Sequence, residues 1–592
     1  MSSSAGKDKF GSDVIVDAMK AMGFRYAPLN PGASIRGLHD SIVNYGGNEN
    51  PKLVLCCHEE IAVAIASGYF RACGEPLAVL VHDIEGLLHS TKAVFDAYLE
   101  REAMVILGGN GPTDIEKRRP GIDWQHTALV PGLTVRNYTK WDDQPDGIVS
   151  TVEALFRAYR IATTDPAGPV YLSLDADLQE KKLEGDFKVP RFANYPSPTL
   201  GEGDLSSIEE AARLLVNAAH PTIIVDGYGR DESSVWNLVK LVEATGAAVI
   251  DTGQRFNFPS DHPQNLSGLT EEVLGKSDVV VALGVRDLYH ALAKEAKGHF
   301  SRESKYMTSE GCKVIRIDTE SVFNNSWVAD YGRLTPTTMS IVASEPAAVA
   351  KLLEIVLRVG NKNASAINER KGRFAELSSA QRKKWHAAAE QQLDRSPITY
   401  PALAYTVWQK IKQLGLDWVL SYPGYTRGGI NAWVRQLWSI TKFYQYPGRG
   451  GGTGTGIGRA IGAALANRGR ICIDFQPDGD LLYTASSLWT AGNLKLPLVI
   501  FVLDNRSYFN DEEHQRAIAE DRGRPVENKT IGIRIEDPNV DFSKMAESYG
   551  LHSAGHAVSD TRSLSEILGS VFESLKKENP TPFLIDVAVQ PK

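Results

Sequence analysis

The sequence predicts an α/β protein built as three doubly wound parallel-sheet domains in series. Three observations carry that prediction. Apolar runs of strand length alternate with amphipathic helical stretches, the connections between them are short and rich in Gly and Pro, and two stretches of different composition interrupt the alternation. A length of 592 residues suits three or four domains of ~100–200 residues each.

The first block covers residues 10–185, with strand-like runs KLVLCC, LAVLVH, AMVILGG and PVYLSL and the helical stretch EEIAVAIASGYFRACG between the first two. Lys140-Trp141-Asp142-Asp143 within it reads as a loop. Residues 186–204 form a Pro-, Gly- and charge-rich linker. The second block, residues 205–360, carries PTIIVDG, AAVIDT, DVVVALG and CKVIRID. Residues 361–398 form a charged, helical connection to the third block, residues 399–592, whose strands are DWVLSYPG, RICIDFQPDG, LPLVIFVLDN and PFLIDVAV.

Composition excludes several classes of function. A net charge of −8 with both signs interspersed offers no basic face for nucleic acid. No apolar stretch reaches the ~18 residues that span a membrane, and the polar N-terminus has no signal-peptide core, so a cytoplasmic protein is expected. The five cysteines lack CxxC spacing, which argues against both a disulfide framework and a structural zinc site.

The chemistry concentrates at strand ends. ICIDF runs into Gln476-Pro477-Asp478-Gly479-Asp480, and LPLVIFVLD runs into Asn505-Arg506-Ser507, with one helix, LYTASSLWTAGNL, predicted between them. Ligand sites of open α/β sheets lie at the carboxyl ends of strands, so Asp478 and Asn505 can meet across neighbouring strands. A carboxylate, an amide oxygen and the Ser507 carbonyl form a donor set that suits magnesium. Upstream, Pro447–Gly462 is glycine-rich and opens a helix, which favours close approach of an anion. Its GIGRAIG segment has a nucleotide-loop look, but the glycine spacing differs from that of dinucleotide folds.

The 27-residue step from Asp478 to Asn505, with Pro477-Asp478-Gly479 and Asp504-Asn505 at its ends, resembles the magnesium–diphosphate motif of thiamine diphosphate enzymes. In the first block, Glu59 follows His58, and Gly68-Tyr69 begins nine positions later, similar to the family's activating-glutamate motif. Together these make the chain resemble the acetohydroxyacid synthase, benzoylformate decarboxylase and pyruvate decarboxylase family. That resemblance implies thiamine diphosphate and Mg2+ as cofactors, with pyrimidine-binding, central and diphosphate-binding domains in that order. It implies metal contacts at Asp478, Asn505 and Ser507. Cofactor contacts are implied at Gly424, Gly451, Thr453, Gly479, Asp480 and Tyr508, and Glu59 is implied as the proton-relay carboxylate. His82 and Asp511 stand where relatives carry catalytic groups. Pro477, Asp504, Asp480, Thr453 and Ala33 depart from the usual family residues. The resemblance further implies a homodimer or homotetramer with sites between subunits, acting on a 2-oxo acid or 2-hydroxyacyl substrate. Gly253-Gln-Arg-Phe and Asp261-His262-Pro263 are similar to turns near flavin in the synthases, yet flavin-free relatives share them, so FAD is the lesser expectation. A 2-hydroxyacyl-CoA lyase, an NAD(P)-binding oxidoreductase and a catalytically silent subunit are the alternatives.

Overall fold

The computed structural model describes residues 8–185, 187–295, 304–319, 333–360, 364–424 and 429–590. The first sheet contains β1 (Tyr26–Leu29), β2 (Lys52–Leu55), β3 (Ala78–Val81), β4 (Met104–Asn110), β5 (Asp142–Asp143) and β6 (Pro169–Asp175). All pairings in it are parallel, in the order β2-β1-β3-β4-β6-β5. The second contains β7 (Pro221–Val225), β8 (Ala248–Asp251) and β9 (Val279–Leu283). A small antiparallel ribbon follows, β10 (Ala293–Glu295) with β11 (Ser304–Tyr306). Then β12 (Lys313–Asp318) and β13 (Met339–Val342) complete the order β13-β12-β9-β7-β8. The third sheet is built from β14 (Ile398–Thr399), β15 (Trp418–Tyr422), β16 (Ile471–Pro477), β17 (Leu498–Asp504) and β19 (Phe583–Gln590), with β18 (His552–Ser553) on β19. Its order is β14-β19-β17-β16-β15.

Every apolar run read as a strand is one, and the three sheets are parallel and doubly wound. Strands β4 and β17 are buried along their whole lengths, as sheets covered on both faces require. The structure corrects the reading of Asp142-Asp143, which forms the edge strand β5 by pairing with Tyr171 and Leu172. The charged connection is the helix Ala364–Glu390. Among the described residues no helix is long and apolar enough to cross a membrane.

The first and third sheets meet through two helices, Glu59–Cys73 and Gly456–Ala466. The former starts cleanly because His58 caps it, accepting from the Glu60 N–H, and Gly74 ends it at φ +76°. The two backbones touch where glycines remove the side chains between them. A Cβ on Gly462 would fall 2.0 Å from the Ile65 carbonyl oxygen, and one on Gly68 would fall 2.0 Å from that of Arg459.

Buried charge ties this contact to the central domain. Glu102 accepts from Arg71 Nε at 2.6 Å and from Arg459 NH1 at 2.9 Å. Glu100 accepts from Arg71 at 2.9 Å and faces Arg286 at 3.6 Å. Burial would raise the Glu100 carboxyl, but Arg286, Arg71 and Arg459 hold it down to about 2. Arg71 also donates to the Gln254 carbonyl at 3.2 Å and to that of Arg449.

Gly462→Ala is expected to destabilise the fold by ~2–3 kcal/mol through overpacking. Gly469→Ala, where an added Cβ meets nothing within 4 Å, serves as the control. Urea denaturation of both variants checks this, and equal stability would sink it.

Candidate functional site

The carboxyl ends of β16 and β17 lie side by side, with Gln476 opposite Val502 and Pro477 opposite Leu503. This brings Asp478 to Asn505. Asp478 is 2% exposed, and its Oδ2 accepts from the Asn505 and Arg506 N–H groups at 3.1 and 2.7 Å. Its Oδ1 accepts from Gly479 N–H at 2.8 Å. A carboxylate has ~four acceptor sites, so both oxygens keep capacity for an ion. The Asn505 amide meets the Tyr400 hydroxyl, while its Oδ1 is buried and without a hydrogen-bond partner among the described residues. An orphaned amide oxygen beside a buried carboxylate is a donor set that fits magnesium. Ser507 is buried next to them, its Oγ donating to Glu512 Oε2 at 3.0 Å.

The single helix expected between these residues is two, Asp478–Tyr483 and Ser487–Leu494. The break falls at Thr484, whose Oγ1 donates to the Gly454 carbonyl at 2.6 Å, so the glycine loop takes over part of the hydrogen bonding.

Buried carboxyls crowd this end of the sheet. Burial pushes Asp478 up to about 7, with Asp504 beside it raising it further. Asp480 is pushed up to about 6 and Asp586 to about 7, again chiefly by burial. Arg506 lowers Asp504 and Asp586, and Lys92 lowers Asp480, yet all three stay raised, so a dication held by Asp478 would be favoured here.

The glycine loop lies against this site. Asp480 accepts from the Gly454 N–H and from Gln476 Nε2, so this departure from the family residue pins the loop. Gly454 sits at φ +87°, and a Cβ on Gly456 would lie 2.8 Å from Asp480 Oδ2 and from Gln476 Oε1. A Cβ on Gly479 would fall 2.6 Å from the Tyr508 ring, so these two expected cofactor contacts adjoin one another. Gly424, two residues after β15, sits at φ +72°, where a Cβ would crowd the Phe475 carbonyl at 2.8 Å. Gly451 is half-buried and Thr453 is exposed.

The remaining candidates separate. Glu59 is 5% exposed at the head of its helix, with His89 Nδ1 3.1 Å from its Oε2. A Cβ on Gly86 would lie 2.9 Å from its Oε1. These contacts lie in its own domain. The neighbour that faces the glycine loop in the same chain is Glu60, whose Oε1 would lie 3.5 Å from a Cβ on Gly454. Burial raises the Glu60 carboxyl, against the pull of Lys92. His82 precedes the helix Asp83–Leu99 in the first domain, and its side chain makes no capping hydrogen bond. The side chain of Asp511 is 65% exposed, whereas Glu512 beside it is buried and bonded to Ser507 and Lys529. Sequence reasoning missed Tyr400 and Asp586, which left no local signal, and it preferred Glu59 to Glu60 and Asp511 to Glu512.

The central turn compared with flavin sites packs on the third domain. Tyr446 donates to the Gly253 carbonyl at 2.9 Å, and a Cβ on Gly253 would fall 2.1 Å from Arg435 NH1. The adjoining cavity, lined by Arg255, Phe256, Trp385 and Arg435, measures about 190 Å³. That is less than the ~300 Å³ at which pockets for drug-sized ligands begin, and a flavin dinucleotide needs more.

Three family profiles match the chain. They are the N-terminal TPP binding domain of thiamine pyrophosphate enzymes over residues 10–132, their central domain over 208–336 and their C-terminal TPP binding domain over 427–587. The acetolactate synthase catalytic subunit of Aspergillus candidus is 25% identical, covering 95% of this chain and 78% of its own length. Acetolactate synthase 2 of Zea mays is 24% identical, covering 98% and 85%. Two solved structures share the fold. Benzoylformate decarboxylase from Polynucleobacter necessarius has a TM-score of 0.74 at 18% identity, covering 99% of this chain and 100% of its own. The thiamine diphosphate-dependent 4-hydroxybenzoylformate decarboxylase of Rhodococcus jostii has a TM-score of 0.72 at 18% identity, with the same coverage.

The raised Asp586 carboxyl gives a pH test. Its folded value of about 7 lies above the usual carboxylate value near ~4. Its contribution to stability is therefore present at low pH and lost as pH rises through about 7. Asp586→Asn is expected to stabilise the protein by on the order of 2 kcal/mol near pH ~8 and little near pH ~4. Urea midpoints at the two pH values measure it, and equal shifts would contradict the account.

Proposed function

Because the chain belongs to the thiamine pyrophosphate enzyme family, we propose that it cleaves or forms a carbon–carbon bond beside a carbonyl, as a thiamine diphosphate- and magnesium-dependent 2-oxo acid decarboxylase or carboligase. The observation that carries the reading is the Asp478–Asn505 pair, with its orphaned Asn505 Oδ1 beside a buried carboxylate at adjacent strand ends. A synthase and two decarboxylases among the named similar proteins support the reaction class.

Bound thiamine diphosphate supplies an electron sink for the bond that breaks or forms. Asp478, Asn505 and the Ser507 carbonyl would hold the magnesium, and Gly479 with the Tyr508 ring would wall the same end. Asp480 holds the glycine loop in place through the Gly454 N–H. Glu59 moves a proton at its carboxylate, which His89 orients through Oε2. The polar contacts of Glu59 stay within its own domain, which supports a homo-oligomer in which it serves the diphosphate domain of a second copy.

A screen of 2-oxo acids and 2-hydroxyacyl-CoAs, with CO2 and aldehyde detected, tests the reading. Turnover of a 2-oxo acid that needs both thiamine diphosphate and magnesium is expected. Cleavage of 2-hydroxyacyl-CoA alone would replace this reading with the lyase. Glu59→Gln should lower turnover by roughly 10²–10⁴-fold, and unchanged turnover would remove the proton role. Asn505→Leu should raise the magnesium concentration for half-maximal cofactor binding at least about tenfold, read by calorimetry.

A further inference from the structure

In the first domain a second constellation surrounds His82, to which the reading above gives no step. β3 ends at Val81, and the chain then presents His82, Asp83 and Glu85, while the short helix Asp123–His126 brings His126 to the same point. His82 Nε2 and His126 Nδ1 each lie 2.9 Å from Asp83 Oδ2, and Glu85 Oε2 lies 3.6 Å from His126 Nδ1. Asp83 has no exposed surface and sits at φ +34°, a strained conformation for a residue with a side chain. Its Oδ1 accepts from the Glu85 N–H at 2.8 Å. Its Oδ2 and His126 Nδ1, although close, are out of alignment and make no hydrogen bond among the described residues.

We propose that His82, Asp83 and His126 bind a divalent transition-metal ion of the zinc class, with Glu85 or water completing the coordination. Two imidazole nitrogens and a carboxylate oxygen are the donors that zinc and its neighbours take, whereas magnesium prefers oxygen alone. Donors placed tetrahedrally around an ion ~2.05 Å away stand ~3.3 Å apart. The two 2.9 Å separations at Asp83 Oδ2 need only a small opening of the imidazoles to reach that spacing. The surroundings fit as well. His82 Nδ1 is bonded to Ser34 Oγ at 2.9 Å, which turns Nε2 toward Asp83, and Ser34 Oγ also accepts from the Asp83 N–H at 3.1 Å. Gly32 leaves room for the His82 ring, since a Cβ there would lie 2.1 Å from its Cγ. Side-chain exposure of 15% at His82, 19% at His126 and 52% at Glu85 leaves the buried Asp83 as the base and an open side facing solvent. That side suits a water or a substrate oxygen. The proposal does not rest on the thiamine reading.

The test is titration of the full-length protein with zinc, and separately with cobalt, in excess magnesium. One zinc per chain and a visible cobalt absorption band are expected. His126→Ala and His82→Ala should each weaken zinc binding at least about tenfold while circular dichroism shows them folded. No zinc bound in the presence of magnesium would overturn the proposal. Zinc bound equally well by both folded variants would overturn it too. Should one variant fail to fold, the other decides.

Discussion

The first and third domains of the chain are locked together by two helix backbones in direct contact. Gly68 on one helix and Gly458 and Gly462 on the other remove the side chains that would otherwise hold Glu59–Cys73 and Gly456–Ala466 apart. Helices that meet at this distance have little freedom to slide, because each step would drive a Cβ into a carbonyl. The glycine loop that opens the second helix is therefore fixed relative to the turn that carries Glu59 and Glu60. Lys92 and Asp96 close the same seam from the helix behind, with Asp96 accepting from Thr455 Oγ1 at 2.9 Å.

Against that rigid seam the third domain keeps an unusual group of buried acids. Asp474 has no exposed surface and no hydrogen-bond partner for either oxygen among the described residues, and burial raises its carboxyl well above the ordinary range. Asp478, Asp480, Asp504 and Asp586 are raised for the same first reason. Burial of this kind opposes folding when the groups are charged, and it favours any ligand that brings positive charge. Stability and ligand binding are thus coupled through the same side chains.

Much of this was readable in the chain because buried parallel strands announce themselves. ICIDF and LPLVIFVLD are continuous apolar runs, and the polar residues after them could only be strand-end groups. Weaker elements were not readable for physical reasons. β1 carries Pro28, which reads as a breaker, and it joins β3 through the single pair Leu29–Leu80. β5, β14 and β18 are two residues each and exist only through their partners. The break near Thr484 depends on a carbonyl thirty residues upstream. Tyr400 reaches Asn505 from the start of the third block, a meeting that no local pattern encodes. At Asp511 and Glu512 the sequence offered two adjacent acids, and only the helix phase decides which one is buried.

The arginine–glutamate cluster has a meaning for the ancestry of the chain. Arg71, Glu100 and Glu102 come from the first domain, Arg286 from the second and Arg459 from the third. Its full set of ion pairs forms only when all three domains are assembled. A domain copied or exchanged alone would carry an unmatched charge into whatever it met. The three sheets look like interchangeable modules, but they have been welded into one inheritable unit.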